Sequence, residues 1–176
     1  MNIQINDSFY ISDITPSDKA AYLEHLAEKQ IYDQTWAIPF PYTEANADWW
    51  FNYVAEETTK QGHSIAWAIR RSDGHLVGGI GFSHFELGKS HVAELGYWLA
   101  KPYWNQGTMT EAVKKICNFG FNKFHLIRIT AHVFSFNTGS SRVLEKVGFQ
   151  LEGTLRRHYK KDGNLVDGKL YAKLAE

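Results

Sequence analysis

Cysteine is almost absent from this chain of 176 residues, which has Cys117 and no second thiol. A single thiol cannot close a disulfide within the chain, and it cannot supply the repeated cysteines of a zinc ribbon or a redox pair. Such cysteine usage is typical of proteins kept in reducing surroundings. We therefore predict a cytoplasmic location.

The chain also lacks a net charge, a long apolar run and a metal-binding motif. Lys and Arg together number 19, as do Asp and Glu, so no overall field attracts nucleic acid or an anionic membrane. No run approaches the roughly 18 apolar residues of a membrane span, and the first residues carry no basic and apolar signal segment. The eight histidines are scattered, without a His-Glu-x-x-His or Cys/His cluster. We predict no nucleic-acid partner, no membrane partner and no bound metal.

Core-forming side chains are abundant by contrast, since 44% of the residues are hydrophobic and 15% are aromatic. The length corresponds to one domain of ordinary size. No linker rich in Ser, Gly or Pro divides the chain, and no internal repeat is visible. We predict a single domain over residues 1–176.

The first third of the chain predicts a strand followed by two helices. A strand over about 9–14 precedes a segment that begins with Thr-Pro-Ser-Asp, which is a helix start, and this helix is expected over 15–30. Two prolines exclude regular structure from the aromatic segment 36–42. Thr43 is a suitable N-cap for a second helix over 43–59.

The middle of the chain predicts an antiparallel meander of three strands. Residues rich in β-branched, aromatic and small side chains are separated there by two short turn clusters. The expected strands are 64–70, 76–87 and 91–99.

The remainder predicts a βαβ unit, a short helix and a hairpin. An apolar stripe at three- and four-residue steps indicates a helix over 110–121. Because a strand, a helix and a second strand cross over right-handedly, His91–Leu99 and Arg128–Phe134 are expected to be parallel. A helix over 137–147, capped by Asn137, and a hairpin over 150–174 complete a mixed α/β sheet with helices on its faces.

A loop with one glycine, Trp104–Thr110, joins the third strand of the meander to the amphipathic helix. The unpaired N–H groups and the positive dipole end of a helix start favour a phosphate, so this loop is a candidate pyrophosphate site. A plain connecting loop is the other interpretation. The segment lacks the Gly-Lys-Ser/Thr of a P-loop and the three glycines of a dinucleotide fingerprint.

Three ordered motifs carry a resemblance that covers nearly the whole chain. They are Ala-Glu-Leu-Gly-Tyr-Trp-Leu (93–99), Tyr-Trp-Asn-Gln-Gly-Thr-Met-Thr-Glu-Ala (103–112) and Asn-Thr-Gly-Ser-Ser-Arg-Val-Leu-Glu-Lys-Val-Gly-Phe (137–149). With these motifs the chain resembles the GCN5-related N-acetyltransferase (GNAT) superfamily, and most closely its branch of ribosomal-protein alanine/serine N-acetyltransferases. The resemblance implies a GNAT fold, with about seven strands and about four helices.

The resemblance also implies acetyl-CoA as co-substrate and a set of residues that bind it. The strand that ends at Leu99 would lend main-chain groups to the pantetheine, and the loop before the helix would wrap the pyrophosphate. The implied cofactor-binding residues are Trp98, Leu99, Asn105, Gln106, Gly107, Thr108, Met109, Thr110, Asn137 and Ser140. The branch usually has glycine where Asn105 stands and a small residue where Met109 stands.

Two residues are candidates for proton transfer. Glu94 shares a strand face with Gly96 and Trp98 and matches the position where several family members carry the general base. An ion-paired strand carboxylate, or a base that acts through water, is the alternative. Ser140 is the candidate proton donor to the leaving thiolate, although a serine in a helix's first turn is also ordinary capping. Cys117 falls among apolar helix positions, so we expect direct transfer in a ternary complex rather than an acetylated thiol.

The acceptor is open at this point. Trp36 and Phe40 of the aromatic loop, together with Glu94, are the candidate acceptor-binding residues, and core packing explains the two aromatic rings equally well. The expected acceptor is a protein or peptide N-terminal α-amine. The alternatives are a small amine (a polyamine, an amino sugar, a toxin or an antibiotic) and a non-catalytic acyl-CoA-binding module. Both a monomer and a homodimer are compatible with the sequence.

Overall fold

The computed structural model describes residues 1–176, which form one eight-stranded sheet with five α-helices. The strands are β1 (Asn2–Asn6), β2 (Phe9–Asp13), β3 (Ala66–Arg71), β4 (Leu76–Ser83), β5 (Val92–Leu99), β6 (Arg128–Phe134), β7 (Gln150–Lys161) and β8 (Asn164–Leu174). Their order in the sheet is β1-β2-β3-β4-β5-β6-β8-β7. The helices are α1 (Lys19–Leu26), α2 (Lys29–Gln34), α3 (Glu44–Gln61), α4 (Thr108–Phe124) and α5 (Thr138–Lys146).

This architecture confirms the expected mixed α/β fold. It has eight strands where about seven were expected, and five α-helices where about four were expected. The extra strand is β1, which pairs with β2. The extra helix arises because the helix expected over 15–30 stops at Ala27 and restarts after Glu28, whose ψ of 112° is extended. The break lets Leu26 and Ile31 enter the same apolar cluster.

Two apolar layers cover the two faces of the sheet. The larger layer packs α4 against the strands, and its fully buried side chains include Val113, Ile116 and Cys117. The smaller layer contains Tyr22 and Leu26 of α1. None of the five α-helices combines the length and the apolar composition of a membrane-spanning helix.

A buried ion pair fixes the start of α1 to β3. Asp18 and Arg70 meet through two charge-assisted hydrogen bonds of 2.6 and 2.8 Å, with 6% and 10% of their side chains exposed. Burial raises the pKa of Asp18, but the hydrogen bonds from Arg70 and Thr15 outweigh burial, and the net shift is downward. The carboxylate is therefore held in its charged form against the guanidinium.

The sheet opens between its two parallel strands. β5 and β6 are parallel, which confirms the expected arrangement, and they pair only from Val92 to Glu94. Beyond Glu94, β5 stays paired with β4 as far as Leu99, and β6 stays paired with β8 as far as Phe134. The main-chain groups that β5 turns toward β6 in this stretch therefore have no strand partner, and a wedge-shaped gap separates the two strands.

Candidate functional site

A cavity of about 1090 Å³ occupies the wedge between β5 and β6. Binding sites for small molecules usually measure about 300–1,000 Å³, so this cavity can take a long ligand. Residues of β4, β5, β6 and all five helices line it. The cavity therefore runs from the start of α4, past the unpaired strand edges, to the aromatic segment before α3.

The turn before α4 aims main-chain donors into one end of the cavity. Gly107 is the N-cap and has a left-handed φ of +79°, which glycine adopts at little cost. The N-cap has no side-chain hydrogen bond, and the first helical bond runs from the Glu111 N–H to the Gly107 carbonyl. The N–H groups of Thr108, Met109 and Thr110 are thus free to bind an anion at the positive end of the helix dipole.

Asn105 also adopts a left-handed conformation, with φ of +60°. Asparagine is the non-glycine residue that tolerates this region best. Asparagine at this position is therefore compatible with the left-handed turn of the loop. Met109 is 7% exposed and packs into the main apolar layer, so its larger side chain points away from solvent rather than across the loop.

Nearly all residues predicted to bind the cofactor line this cavity. They are Trp98, Leu99, Asn105, Gly107, Thr108, Met109, Thr110, Asn137 and Ser140. Gln106 does not line it, because its Nε2 donates to the Pro102 carbonyl at 2.8 Å and its side chain is exposed. Two cations of α5, Arg142 and Lys146, line the same cavity without having been predicted.

Ser140 stands in a hydrogen-bonded group at the start of α5. Its hydroxyl lies 2.7 Å from the Tyr97 hydroxyl, and its N–H donates to Asn137 Oδ1 at 3.0 Å. Asn137 Nδ2 in turn donates to the Gln34 carbonyl at 3.1 Å, which joins α5 to the end of α2. Burial raises the pKa of Tyr97, so its phenol stays protonated at neutral pH. Asn137 is thus the N-cap of α5, as the sequence predicted, and its side chain also bridges α5 to the end of α2.

Glu94 faces a histidine across the last paired position of the parallel strands. Its Oε1 lies 3.1 Å from Nδ1 of His132 on β6, and its Oε2 lies 3.9 Å from Nε2 of His84. Glu94 and His132 are partly exposed, at 29% and 26% of their side chains, and all three residues line the cavity. The carboxylate therefore lies in the ligand space, beside an imidazole ring of the neighbouring strand.

The aromatic residues predicted to contact the acceptor occupy different places. Trp36 lines the cavity, is 63% exposed and lies 5.9 Å from the Tyr159 ring. Phe40 does not line the cavity and packs against Tyr32, with 5.4 Å between ring centroids. The wall at this end also includes Trp49 of α3, an exposed ring that the sequence did not single out.

Tyr97 and His132 are functional candidates that the sequence interpretation missed. His132 could have been found, because alternation along β6 places it on the face of Thr130, and Thr130 is the register partner of Glu94. Tyr97 had no such signal, since its contact with Ser140 depends on how α5 packs. Cys117 is fully buried and burial raises its pKa to about 12, which fits the predicted inert thiol.

One group of potential metal ligands occurs outside the cavity. Glu24, His25 and His75 place their donor atoms within 4.8 Å of one another. His25 Nε2 lies 3.0 Å from the Leu76 carbonyl and must donate to it, so Nδ1 is the nitrogen turned toward Glu24. A motif search could not find this group, because α1 and the β3–β4 turn bring its members together. The expectation of no bound metal stays a prediction.

Comparison with known proteins bears on the chain as a whole. A family model described as "Acetyltransferase (GNAT) domain" matches residues 9–150. The uncharacterized N-acetyltransferase YoaA of Bacillus subtilis (strain 168) is 38% identical over 114 residues, 64% of this chain and 64% of that protein. The [ribosomal protein uS5]-alanine N-acetyltransferase of Escherichia coli (strain K12) is 30% identical over 117 residues, 66% of this chain and 58% of that protein. The chain thus spans less than two thirds of the length of these curated relatives.

A solved structure agrees with this match. Mycobacterium smegmatis RimJ in complex with CoA-disulfide superposes with a TM-score of 0.79 and 26% identity, over 95% of this chain and 82% of that chain. Its bound CoA is the ligand class that the resemblance implied for the loop before α4 and the strand that ends at Leu99. The family match covers the wedge, the α4 turn and the start of α5 together, and on this basis the chain belongs to the GNAT acetyltransferase family.

Proposed function

We propose that this chain transfers the acetyl group of acetyl-CoA to a primary amine, and that the acceptor is the α-amine of a protein or peptide. The observation that carries the proposal is the continuity of one cavity between the free N–H groups of α4 and the Glu94–His132 pair. The free N–H groups are suited to binding a pyrophosphate, and the Glu94–His132 pair is suited to accepting a proton from an amine. The relative from Escherichia coli that acts on ribosomal protein uS5 alanine supports an α-amine acceptor.

The residues present fit acetyl-CoA along the length of the cavity. The N–H groups of Thr108, Met109 and Thr110 would hold the pyrophosphate, with Asn105 and Gly107 setting the loop's path and Gln106 contributing only main chain. The main-chain groups that β5 turns toward β6 beyond Glu94 would hold the pantetheine, and Trp98 and Leu99 line this stretch of the cavity. Arg142 and Lys146 supply positive charge for the remaining phosphate. Asn137 and Ser140 would lie beside the thioester.

The chemistry is direct transfer within a ternary complex. The ammonium first gives one proton to the base at Glu94 and its neighbour. The amine nitrogen then attacks the thioester carbonyl carbon, and the carbon–sulfur bond breaks. The Ser140 hydroxyl donates its proton to the leaving sulfur and in exchange takes the second proton from the amine nitrogen. An α-amine suits such a site because its reference pKa of about 7.7–8.0 lies well below the value of about 10.4 for lysine.

Trp36 and the neighbouring aromatic rings would form the acceptor's wall, while Phe40 would support that wall through Tyr32. A neutral aromatic wall suits a peptide end better than a polyamine, which would need several carboxylates. We place the activity in the cytoplasm, as the near-absence of cysteine suggests.

The test is an acceptor panel with two readouts. Purified protein and acetyl-CoA are incubated with N-terminal peptides, polyamines, amino sugars and amino acids, while free thiol release and acceptor mass are followed. We expect thiol release that depends on peptides and a mass gain of one acetyl group on the α-amine. Transfer to a small amine and to no peptide would show that the acceptor is a small amine rather than a protein or peptide α-amine. CoA binding without any transfer would favour a non-catalytic module, and no CoA binding would end the proposal.

A further inference from the structure

The Glu94–His132 contact assigns different tasks to its two members. Nδ1 of His132 lies 3.1 Å from Glu94 Oε1, so the ring's other nitrogen, Nε2, is the one that does not face the carboxylate. In a pair of this kind the carboxylate orients the imidazole and stabilises its protonated form, while the free nitrogen takes the proton.

We propose that His132 Nε2 is the atom that takes the proton from the acceptor ammonium, and that Glu94 is a positioning residue and counter-ion for it. This assignment rests on the proposed function and gives the proton acceptor of that same site. One N–H bond of the ammonium breaks, an Nε2–H bond forms, and the resulting imidazolium faces the Glu94 carboxylate. The proton leaves to solvent after the acetyl group has moved.

The surroundings of His132 are suited to this task. His158 of β7 stacks on it with ring planes 10° apart and centroids 6.4 Å apart. The other titratable groups that face the pair are His84, which follows β4, and Tyr159 of β7, whose ring packs 4.8 Å from His158. Glu94 is the only negative charge among these groups at neutral pH. One imidazolium at His132 is therefore balanced, and its position within the cavity exposes it to an incoming amine.

The variant His132→Asn isolates the proposed step. The asparagine amide can replace Nδ1–H against Glu94, but nothing in this variant replaces Nε2. We expect kcat/KM for the best peptide to fall by about 100- to 10,000-fold, as for other general bases, and the acid limb of the wild-type pH profile to disappear. The CoA dissociation constant should stay within about twofold of wild type. The matched control is His125→Asn, an exposed position at the end of α4 with φ of +55°, which asparagine tolerates.

Two further readouts separate a base from a merely structural residue. Imidazole added to His132→Ala should restore part of the lost rate, with a dependence on the concentration of neutral imidazole. Long-range ¹H–¹⁵N spectra of the wild-type protein at pH 8 should show His132 as the Nδ1–H tautomer. A variant with wild-type kcat/KM and an unchanged acid limb, or a wild-type ring in the Nε2–H tautomer, would overturn the assignment.

Failure of the assignment and failure of the proposed function give different results. Failure of the function appears in the wild-type protein, as CoA binding without acceptor-dependent thiol release, and the assignment then fails with it. Failure of the assignment alone appears as an active wild type whose His132→Asn variant is equally active while Glu94→Gln is not. That second pattern would make Glu94 itself the base.

Discussion

The two ends of the cavity are built from different parts of the chain. At the α4 end the ligand-facing groups are main-chain N–H donors, and side chains such as Gln106 turn away from the cavity. At the opposite end the ligand-facing groups are the side chains of Glu94, His132 and Trp36. Main-chain sites tolerate a change of side chain as long as the backbone keeps its path, whereas side-chain sites change chemistry with each substitution. The first end therefore suits a ligand common to the family, and the second suits an acceptor that differs between members.

The largest expected effect lies at the side-chain end. Glu94→Gln keeps the size of the side chain but removes the charge that balances a protonated His132. We expect turnover to fall by about 100- to 10,000-fold, with the CoA dissociation constant unchanged when measured by calorimetry. A change in CoA affinity of similar size to the loss in rate would erase the distinction between the two ends.

A second prediction concerns the buried ion pair that fixes the start of α1 to β3. Asp18→Asn leaves Arg70 buried without its counter-charge, and we expect the free energy of unfolding to fall by about 3 kcal/mol in urea titrations at pH 7. Asp48→Asn is the control, because the Lys19–Asp48 pair is exposed and such pairs contribute less than about 1 kcal/mol.

The pH dependence of that difference follows from the direction of the Asp18 shift. The pKa of Asp18 is lower in the folded chain than its ordinary value of 3.8. The ion pair's contribution is therefore complete above that ordinary value and is lost as the pH falls through the folded value. The gap between wild type and Asp18→Asn should narrow below about pH 4. A gap of constant size at pH 3 and pH 7 would contradict this account.

At the main-chain end the sensitive feature is the left-handed backbone conformation of Gly107. Gly107→Val forces a β-branched residue into the left-handed region, at a cost of about 1–2 kcal/mol. We expect CoA binding to weaken by about tenfold. Asn105→Gly is the informative counterpart, since it removes a side chain but keeps the φ of +60° accessible, and its CoA affinity should equal or exceed that of wild type.

A smaller effect distinguishes the two aromatic residues of the acceptor loop. Trp36→Ala removes a ring that lines the cavity, and we expect the acceptor KM to rise by about two- to tenfold, the equivalent of roughly 0.5–1.5 kcal/mol for one aromatic contact. Phe40→Ala removes a ring that only packs on Tyr32, so the acceptor KM should change by less than about twofold. Equal effects would show that the loop acts as one packed unit.

The smallest effect is expected for Gln106→Ala. The glutamine side chain is exposed and bonded to Pro102, and surface substitutions of this kind stay within about 0.5 kcal/mol. CoA affinity measured by calorimetry should change by no more than about twofold. A larger loss would mean that this side chain leaves Pro102 when the ligand binds.

The sequence was informative wherever a local rule applied. The capping of α3 by Thr43 and of α5 by Asn137, the parallel pair of strands and the closing hairpin follow from spacing and residue type. The break at Ala27 could not be predicted, because no proline or glycine marks it and the burial of Leu26 and Ile31 favours it only in the folded chain.

The same division applies to the site. The loop at Gly107 was visible because its function depends on a local turn and a helix start. The partners of Glu94 and Ser140 were not visible, because His132 and Tyr97 reach them from another strand or across a helix packing. Local patterns indicate where a ligand meets the backbone, but side-chain pairs that perform chemistry depend on tertiary contacts.

The bridge made by Asn137 has a consequence for the affinities of the two ligands. The Asn137 side-chain amide accepts a hydrogen bond from the Ser140 N–H through its oxygen and donates one to the end of α2 through its nitrogen. The segment that leads into the acceptor loop and the start of α5 are therefore connected through this one side chain. Whatever orders α2 also orders the neighbourhood of Ser140. By thermodynamic linkage such coupling is reciprocal: occupancy of the acceptor end must tighten CoA by the same factor by which CoA tightens the acceptor.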